Sequence, residues 1–399
     1  MRFSFLRGRN GEDDTSAGSI LTEEYYADLK SVAEQKANRE NPLTAMAFIT
    51  PAIFGRTIDA TKLGTFALSV SSSHVQFFEV WSDGARTELL TVASEAVLHT
   101  LKEQITSVFN ATATKELKDY KTAGEIPLIP PWLRPGVHCV VLAVRETYPF
   151  RGLGEFDSAN DPAPRIVTAL QALGATANIP KVYSWMSFGW TEFDWAPYAH
   201  QYTRLLAAQD FAVGEEYRTT TDGRGSGRLN VNVELAEKSE RRAQSPRLLA
   251  SLRVALFCDD QKTLTNAVEI MKGTLKAYGS ELNPVAVDEL GVNELHNMVG
   301  RVIVPSARGY NGQEYTKRLL DAYMKDVQRG REAMPVATTF PYLLLTSSEL
   351  PTFVHLPLWS TPERLISLRW SRAPTPFVER PEMPTETAYP ILVGKSLEL

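Results

Sequence analysis

Residues 74–81 read HVQFFEVW, and this stretch gives the clearest indication of the fold. Aromatic and β-branched residues dominate it, and the three serines before it form a turn signal, so it is typical of a β-strand. Residues 64–70, on the other side of those serines, predict a partner strand. Apolar residues then recur at helical spacing and predict one helix over about residues 87–109: Leu90, Val97, Leu101, Ile105 and Val108. A β-β-α unit is therefore expected here.

The same two periodicities continue along the chain. They predict strands over residues 137–144, 182–188 and 249–258, and helices over residues 21–38, 161–173, 198–208, 264–279 and 315–327. Strands and helices mixed in this way favour an α+β fold. We expect two similar strand-helix-strand halves with antiparallel or mixed sheets, followed by a proline-rich C-terminal connector.

Composition shifts place the expected boundaries. Residues 219–227 read TTTDGRGSG, the clearest linker in the chain, and five prolines follow residue 373. We predict a flexible leader and helix (1–40), a first α+β half (41–215), a mobile loop and charged linker (216–247), a second half (248–372) and a proline-rich connector (373–399).

Overall charge argues against a general nucleic-acid surface. The chain has 399 residues with 42 basic and 47 acidic side chains, a net charge of −5, so it carries no basic footprint for nucleic acid as a whole. Its two cysteines, Cys139 and Cys258, lie far apart and indicate neither a disulfide framework nor a thiolate metal site. The longest apolar runs are strand-length, far below the roughly 18 residues of a membrane span.

Common catalytic and cofactor motifs are missing from the sequence. The chain has no His-Glu-x-x-His, Gly-x-Ser-x-Gly or Gly-x-Gly-x-x-Gly, and its six histidines show no paired ligand spacing. Gly394, Lys395 and Ser396 resemble the end of a phosphate-binding loop, but Tyr389 stands where that loop needs its first glycine. We therefore predict no cofactor, metal or catalytic residue for this chain.

Two interpretations remain for the aromatic cluster of residues 185–195. Large aromatic side chains dominate the burial of protein cores, so packing is the favoured interpretation. The alternative is an enzyme with a dispersed active site around this cluster and His200, which would need a pocket with convergent titratable groups.

Residues 345–357 read LTSSELPTFVHLP and predict a short capped helix. Thr346 and Glu349 have the spacing of a capping box. Pro351 is tolerated only in a first turn, which moves the expected start toward Ser348 and weakens the box. On this evidence alone His355 is a packed or surface side chain.

The pattern Ser-x-Glu-Leu-x-x-x-x-His-Leu-Pro over residues 347–357, with proline-rich sequence after it, resembles the end of the N-terminal region of type IV secretion and conjugative-transfer ATPases related to the HerA and FtsK DNA translocases. Weaker matches precede it in the family's order: the strand at 74–81 with its helix, Asp119-Tyr120, Tyr148-Pro149, Asp161-Pro162, and the segments 252–254 and 282–283. Pro351 and residues 218–228 depart from the family pattern.

This resemblance implies a non-catalytic assembly and docking module of a DNA-translocating ATPase. Residues 392–399 resemble the first strand of the ATPase domain. The phosphate-binding loop, ATP and Mg²⁺ would then belong to a motor domain beyond this chain, through truncation or a split gene. Glu349, His355 and Pro357 are the implied hinge and motor-coupling residues.

The same resemblance implies the partners and the location. Expected partners are the motor domain, in cis or in trans, the membrane-embedded secretion or conjugation apparatus, and further copies in a ring. DNA contact is compatible with the family but is not indicated by the charge. The expected location is cytoplasmic, peripheral to the inner membrane through partners. A structural component of a virion or secretion assembly is the remaining alternative.

Overall fold

A computed structural model describes residues 18–37, 43–49, 74–83, 87–109, 113–116, 129–130, 132–145, 162–175, 180–198, 244–279, 285–328, 342–347 and 349–354. Across these ranges, no helix combines the length and the apolar character needed to cross a membrane.

The elements alternate between strands and helices. The strands are β1 (Ser19–Ile20), β2 (Leu43–Ile49), β3 (Gln76–Ser82), β4 (Thr87–Ser94), β5 (Ala113–Glu116), β6 (His138–Arg145), β7 (Tyr183–Glu192), β8 (Arg247–Cys258), β9 (Ala286–Leu290) and β10 (Leu343–Thr346). The helices are α1 (Glu23–Ala37), α2 (Glu95–Phe109), α3 (Pro162–Ala175), α4 (Gln261–Leu275), α5 (Glu294–Val299), α6 (Gly312–Gln328) and α7 (Pro351–Val354).

All ten strands belong to one antiparallel sheet in the order β1-β6-β8-β7-β3-β4-β2-β5, with β10 paired to β8 and β9 to β6. The 12-residue strand β8 is an interior strand, third in this order. β7 pairs along one side of β8, while β6 and β10 share the other side end to end. The predicted α+β class is confirmed. Strands from both predicted halves join this single sheet; the duplication itself stays a prediction.

The predicted helix over residues 87–109 is wrong in its first third. Thr87–Ser94 forms strand β4, which pairs with β3, and helix α2 begins only at Glu95. Leu90 and Val92 pack on one side of the sheet while Ala93 packs on the other, which is the two-residue period of a strand. Leu90 fits both periodicities, and the β-branched residues around it favour the strand.

Most other predicted elements are confirmed, with shifted ends. These are α1, α3, α4, α6, β3, β6, β7 and β8. The predicted strand at 64–70, nearly all of the predicted helix at 198–208, the linker at 219–227 and the connector at 373–399 lie outside the described residues.

Helices cover both faces of the sheet, because each strand sends alternate side chains to opposite sides. Phe78 and Val80 of β3 pack with α2, α3 and α4 on what we call the α4 face. Phe77 and Trp81 pack with α1, α5 and α6 on the opposite side, the α5 face. The candidate functional groups lie on these two layers.

Helix α1 crosses the α5 face. β1 is at one end of the strand order and β2 lies next to the other end, so their six inter-strand steps span about 29 Å. The 15-residue helix α1, about 22 Å long, lies between them in sequence. Its Leu29 and Ala33 belong to the same core as Trp81 of β3 and Leu90 of β4. α1 is therefore a strap over the sheet.

Gly189 of β7 provides the space for a buried ring and gives a first prediction. It pairs with Phe77, and a Cβ added at Gly189 would lie 2.2 Å from Cε1 of that ring. We expect Gly189→Ala to lower the free energy of unfolding by about 1–3 kcal/mol through overpacking, measured by urea denaturation. Gly273→Ala on α4, where a Cβ meets nothing within 4 Å, is the control and should stabilise by about 0.5–1 kcal/mol. Equal effects of the two changes would contradict this account.

Candidate functional site

The segment that carries the family resemblance forms a compact turn after β10, which we call the exit turn (residues 346–354, of which 348 is not described). β10 pairs with the first residues of β8. The Thr346 carbonyl then accepts from the backbone N–H groups of Glu349 and Leu350 at 3.0 and 3.1 Å. Helix α7 begins at Pro351, a first-turn position where a missing N–H costs nothing. The exit turn is thus attached directly to β8, an interior strand of the sheet.

Glu349 closes this turn with its side chain. Its Oε2 accepts from the Thr346 backbone N–H at 2.9 Å and from the Thr346 hydroxyl at 3.2 Å. This is the carboxylate half of a capping box. The helix begins at Pro351 instead of near Ser348, so the Thr346–Glu349 contact closes the turn before the helix and does not cap the helix itself.

Aromatic side chains pack the exit turn against the sheet. Leu350 and Phe353 are buried in the α4 face. The Phe353 ring stacks on Phe188 of β7, with centroids 5.1 Å apart, and on Tyr278 at 4.6 Å. Of the three predicted hinge residues, the structure places Glu349 in this turn; His355 and Pro357 lie outside the described residues.

A buried ion pair lies on the α5 face. Glu79 of β3 is fully buried, and its carboxylate accepts from Nε and Nη2 of Arg301, each at 3.0 Å. The indole N–H groups of Trp81 and Trp185 donate to the same carboxylate at 3.0 and 3.1 Å, and the Ser187 hydroxyl donates at 3.4 Å. The acceptor positions of Glu79 are therefore occupied by internal donors.

A second buried arginine lies in the same register row. Glu79, Ser187 and Arg253 are direct cross-strand neighbours on β3, β7 and β8. Arg253 donates to the carbonyls of Val302 and Ile303 at 2.8 and 2.7 Å. Its Nε lies 2.7 Å from Oε1 of Glu294, but those two atoms are not aligned as a hydrogen bond. This contact is an ion pair.

These contacts fix the segment after α5 on the sheet. Two arginines and two glutamates balance in charge, as burial of ions requires. Arg301 adopts a left-handed backbone with a φ of 46°, a conformation that costs a non-glycine residue energy. Its bidentate bond to Glu79 and its position 5.3 Å from the Trp185 ring hold it there. The cluster therefore holds the backbone of this segment on the sheet, and both of its carboxylates are paired with arginines.

Helix α1 meets α5 through a third polar cluster. The Tyr25 hydroxyl lies 2.6 Å from Nδ1 of His296 and 2.6 Å from the Val292 carbonyl. Nε2 of His296 lies 2.6 Å from Oδ2 of Asp28. Burial, with smaller electrostatic contributions from Cys139, Asp28 and Glu294, raises the pKa of the Tyr25 phenol. This hydroxyl therefore keeps its hydrogen.

The aromatic cluster of residues 185–195 is core, as the favoured interpretation predicted. Trp185 and Trp195 pack on the α5 face and Trp190 on the α4 face, so the rings do not surround one site. His200 lies outside the described residues. Both cysteines are free and buried, and burial raises the pKa of each thiol.

No protein-family model matches this chain, and no curated protein matches it. Among the residues that the structure describes, no group of three or more His, Cys, Asp or Glu side chains is arranged to hold a metal ion.

Sequence reasoning missed the buried arginines and the α1 cluster. Glu79 carried one usable signal, since it is a lone charge inside the otherwise aromatic and aliphatic stretch HVQFFEVW. A charge on the buried face of a strand requires a partner. The identity of that partner is not readable from sequence, because Arg301 lies 222 positions away.

Proposed function

We propose that this chain is the non-catalytic N-terminal assembly and docking module of a conjugation or type IV secretion DNA-translocating ATPase. The observation that carries the proposal is the exit turn. The segment with the family pattern is held to interior strands of the sheet by the Thr346–Glu349 bonds and by Phe353. It would then connect the sheet mechanically to the motor in the assembly.

A docking module that positions a motor needs a rigid connection between its own fold and that motor. Here β10 pairs with β8, and Glu349 and Phe353 hold the turn after it on two sides. Motion of this turn is therefore coupled to the sheet. Glu349, His355 and Pro357 are proposed as the residues that link this module to its motor.

The net charge of the chain favours contact with proteins. The buried arginines are paired inside the fold, and the chain has a net charge of −5. A slightly acidic net charge suits protein partners better than sequence-specific DNA binding. In this proposal the motor, with ATP and Mg²⁺, acts in cis or in trans, and the secretion apparatus holds the module at the inner membrane. Self-association into a ring belongs to the same proposal.

The experiment combines the chain with the motor encoded after it or beside it. The chain alone should give no ATP turnover, and light scattering should detect a complex with the motor. We expect Glu349→Ala to weaken coupling, measured as motor ATPase rate with and without the chain, while costing only about 1 kcal/mol of stability. Glu269→Ala on α4, an exposed glutamate that also sits in a local ion pair, is the matched control.

Three results would contradict the proposal. Saturable ATP hydrolysis by the pure chain would make it an enzyme. Equal coupling of the two variants would remove the exit turn from the link. Assembly into a particle with no adjacent or fused motor gene would favour the structural-component alternative.

A further inference from the structure

The contacts that hold α1 against α5 determine how many hydrogen atoms their polar groups must carry. Three close contacts are present: Tyr25 hydroxyl to the Val292 carbonyl, Tyr25 hydroxyl to Nδ1 of His296, and Nε2 of His296 to Asp28. A carbonyl and an ionised carboxylate only accept hydrogen bonds, and a phenol has one hydrogen to donate.

One arrangement satisfies all three contacts. Tyr25 donates its hydrogen to Val292, so its oxygen must accept from Nδ1, and the Asp28 carboxylate must accept from Nε2. Both ring nitrogens of His296 then carry a hydrogen, which is the imidazolium form. A neutral ring has one hydrogen fewer and leaves one of the three contacts without a donor.

We propose that His296 is a proton-dependent latch that holds the strap helix α1 on α5. With the imidazolium, α1 is bound through Tyr25 and Asp28 at once, and the bond to Asp28 is charge-assisted. Loss of one proton opens a contact and loosens the strap. Because Leu29 and Ala33 of α1 are buried on the α5 face, loosening uncovers apolar surface there. This inference is independent of the proposed function.

The other titratable and charged groups near His296 lie on α1, α5, β6 and β8. On α1 these are Tyr25 and Asp28. On α5 itself Glu294 is paired with Arg253 of β8. From β6, the buried Cys139 contributes to the surroundings of Tyr25. Burial raises the pKa values of the Tyr25 phenol and the Cys139 thiol, so both keep their hydrogens.

Hydrogen-deuterium exchange of α1 amides tests the latch. Protection of residues 23–37, corrected for the intrinsic pH dependence of exchange, should fall by about tenfold between about pH 5.5 and 8.5, the range that brackets histidine titration. A tenfold change corresponds to about 1.4 kcal/mol, the scale of one charge-assisted hydrogen bond. Amides of α4, on the opposite face, report global stability and should not follow this change.

Variants separate the latch from a general effect of pH. His296→Gln should remove the pH dependence of α1 protection, whereas His99→Gln, at an exposed position on α2, should retain it. In parallel, ¹⁵N NMR of histidine side chains should give one ring, assigned by its loss in His296→Gln, with both nitrogens protonated at the low-pH end. A neutral ring there, or α1 protection that is flat with pH in the unaltered protein, would overturn the inference.

Discussion

Arg301→Leu is expected to lower the free energy of unfolding by about 3–5 kcal/mol. Glu79 is fully buried, and the substitution leaves its carboxylate with only the indole and hydroxyl donors and no compensating charge. An unpaired buried charge is among the most costly changes in a protein interior. Urea denaturation followed by circular dichroism measures the effect.

The double variant distinguishes charge pairing from loss of packing. Glu79→Leu combined with Arg301→Leu removes both charges, so its cost should be far below the sum of the two single changes. Arg134→Leu is the control, since Arg134 pairs with Asp259 at 2.8 Å with both side chains more than half exposed, and its loss should cost about 0.2–1 kcal/mol. Additive single effects would contradict the assignment of Glu79 and Arg301 as a coupled pair.

Phe353→Ala is expected to cost a similar amount, about 3–5 kcal/mol. The ring is 1% exposed and stacks on both Phe188 and Tyr278, so its removal leaves a cavity under the exit turn. Amides of the exit turn should also lose protection against hydrogen exchange more than those of β8, because the turn loses its only described aromatic anchor.

Two substitutions control for size and for exposure. Phe353→Leu retains most of the buried volume and should cost less than Phe353→Ala, since near-isosteric apolar exchanges are tolerated best. Ile270→Ala removes a side chain that is 53% exposed and should change stability by less than about 0.5 kcal/mol. An effect of Phe353→Ala no larger than that of Ile270→Ala would mean that the turn is not held by this ring.

Local sequence patterns predicted the elements in which successive apolar residues follow a single periodicity. Helix α4 is an example, because Leu264, Val268, Met271 and Leu275 are among its buried side chains and repeat at helical spacing. Strand β4 failed for the opposite reason. Leu90 continues the apolar spacing of α2, and only pairing with β3 shows that this part of the chain is extended.

The candidate sites were less predictable than the elements. The Thr346–Glu349 contact spans three residues, so its spacing was visible in sequence and the structure contains it. Arg301 and Glu79, by contrast, are brought together only by the completed sheet, as are His296 and Asp28, which lie 268 positions apart. Single-sequence patterns carry no information about such pairings.

The position of β8 has a consequence for how the chain reaches its native state. β6 and β7 flank β8 in the sheet, yet both are completed well before β8 in the chain. During synthesis the edges of β6 and β7 that pair with β8 therefore leave the ribosome before their shared neighbour exists. Such long-range closure folds slowly and leaves apolar strands open to misassociation, so we expect co-translational chaperones to raise the yield of this protein substantially.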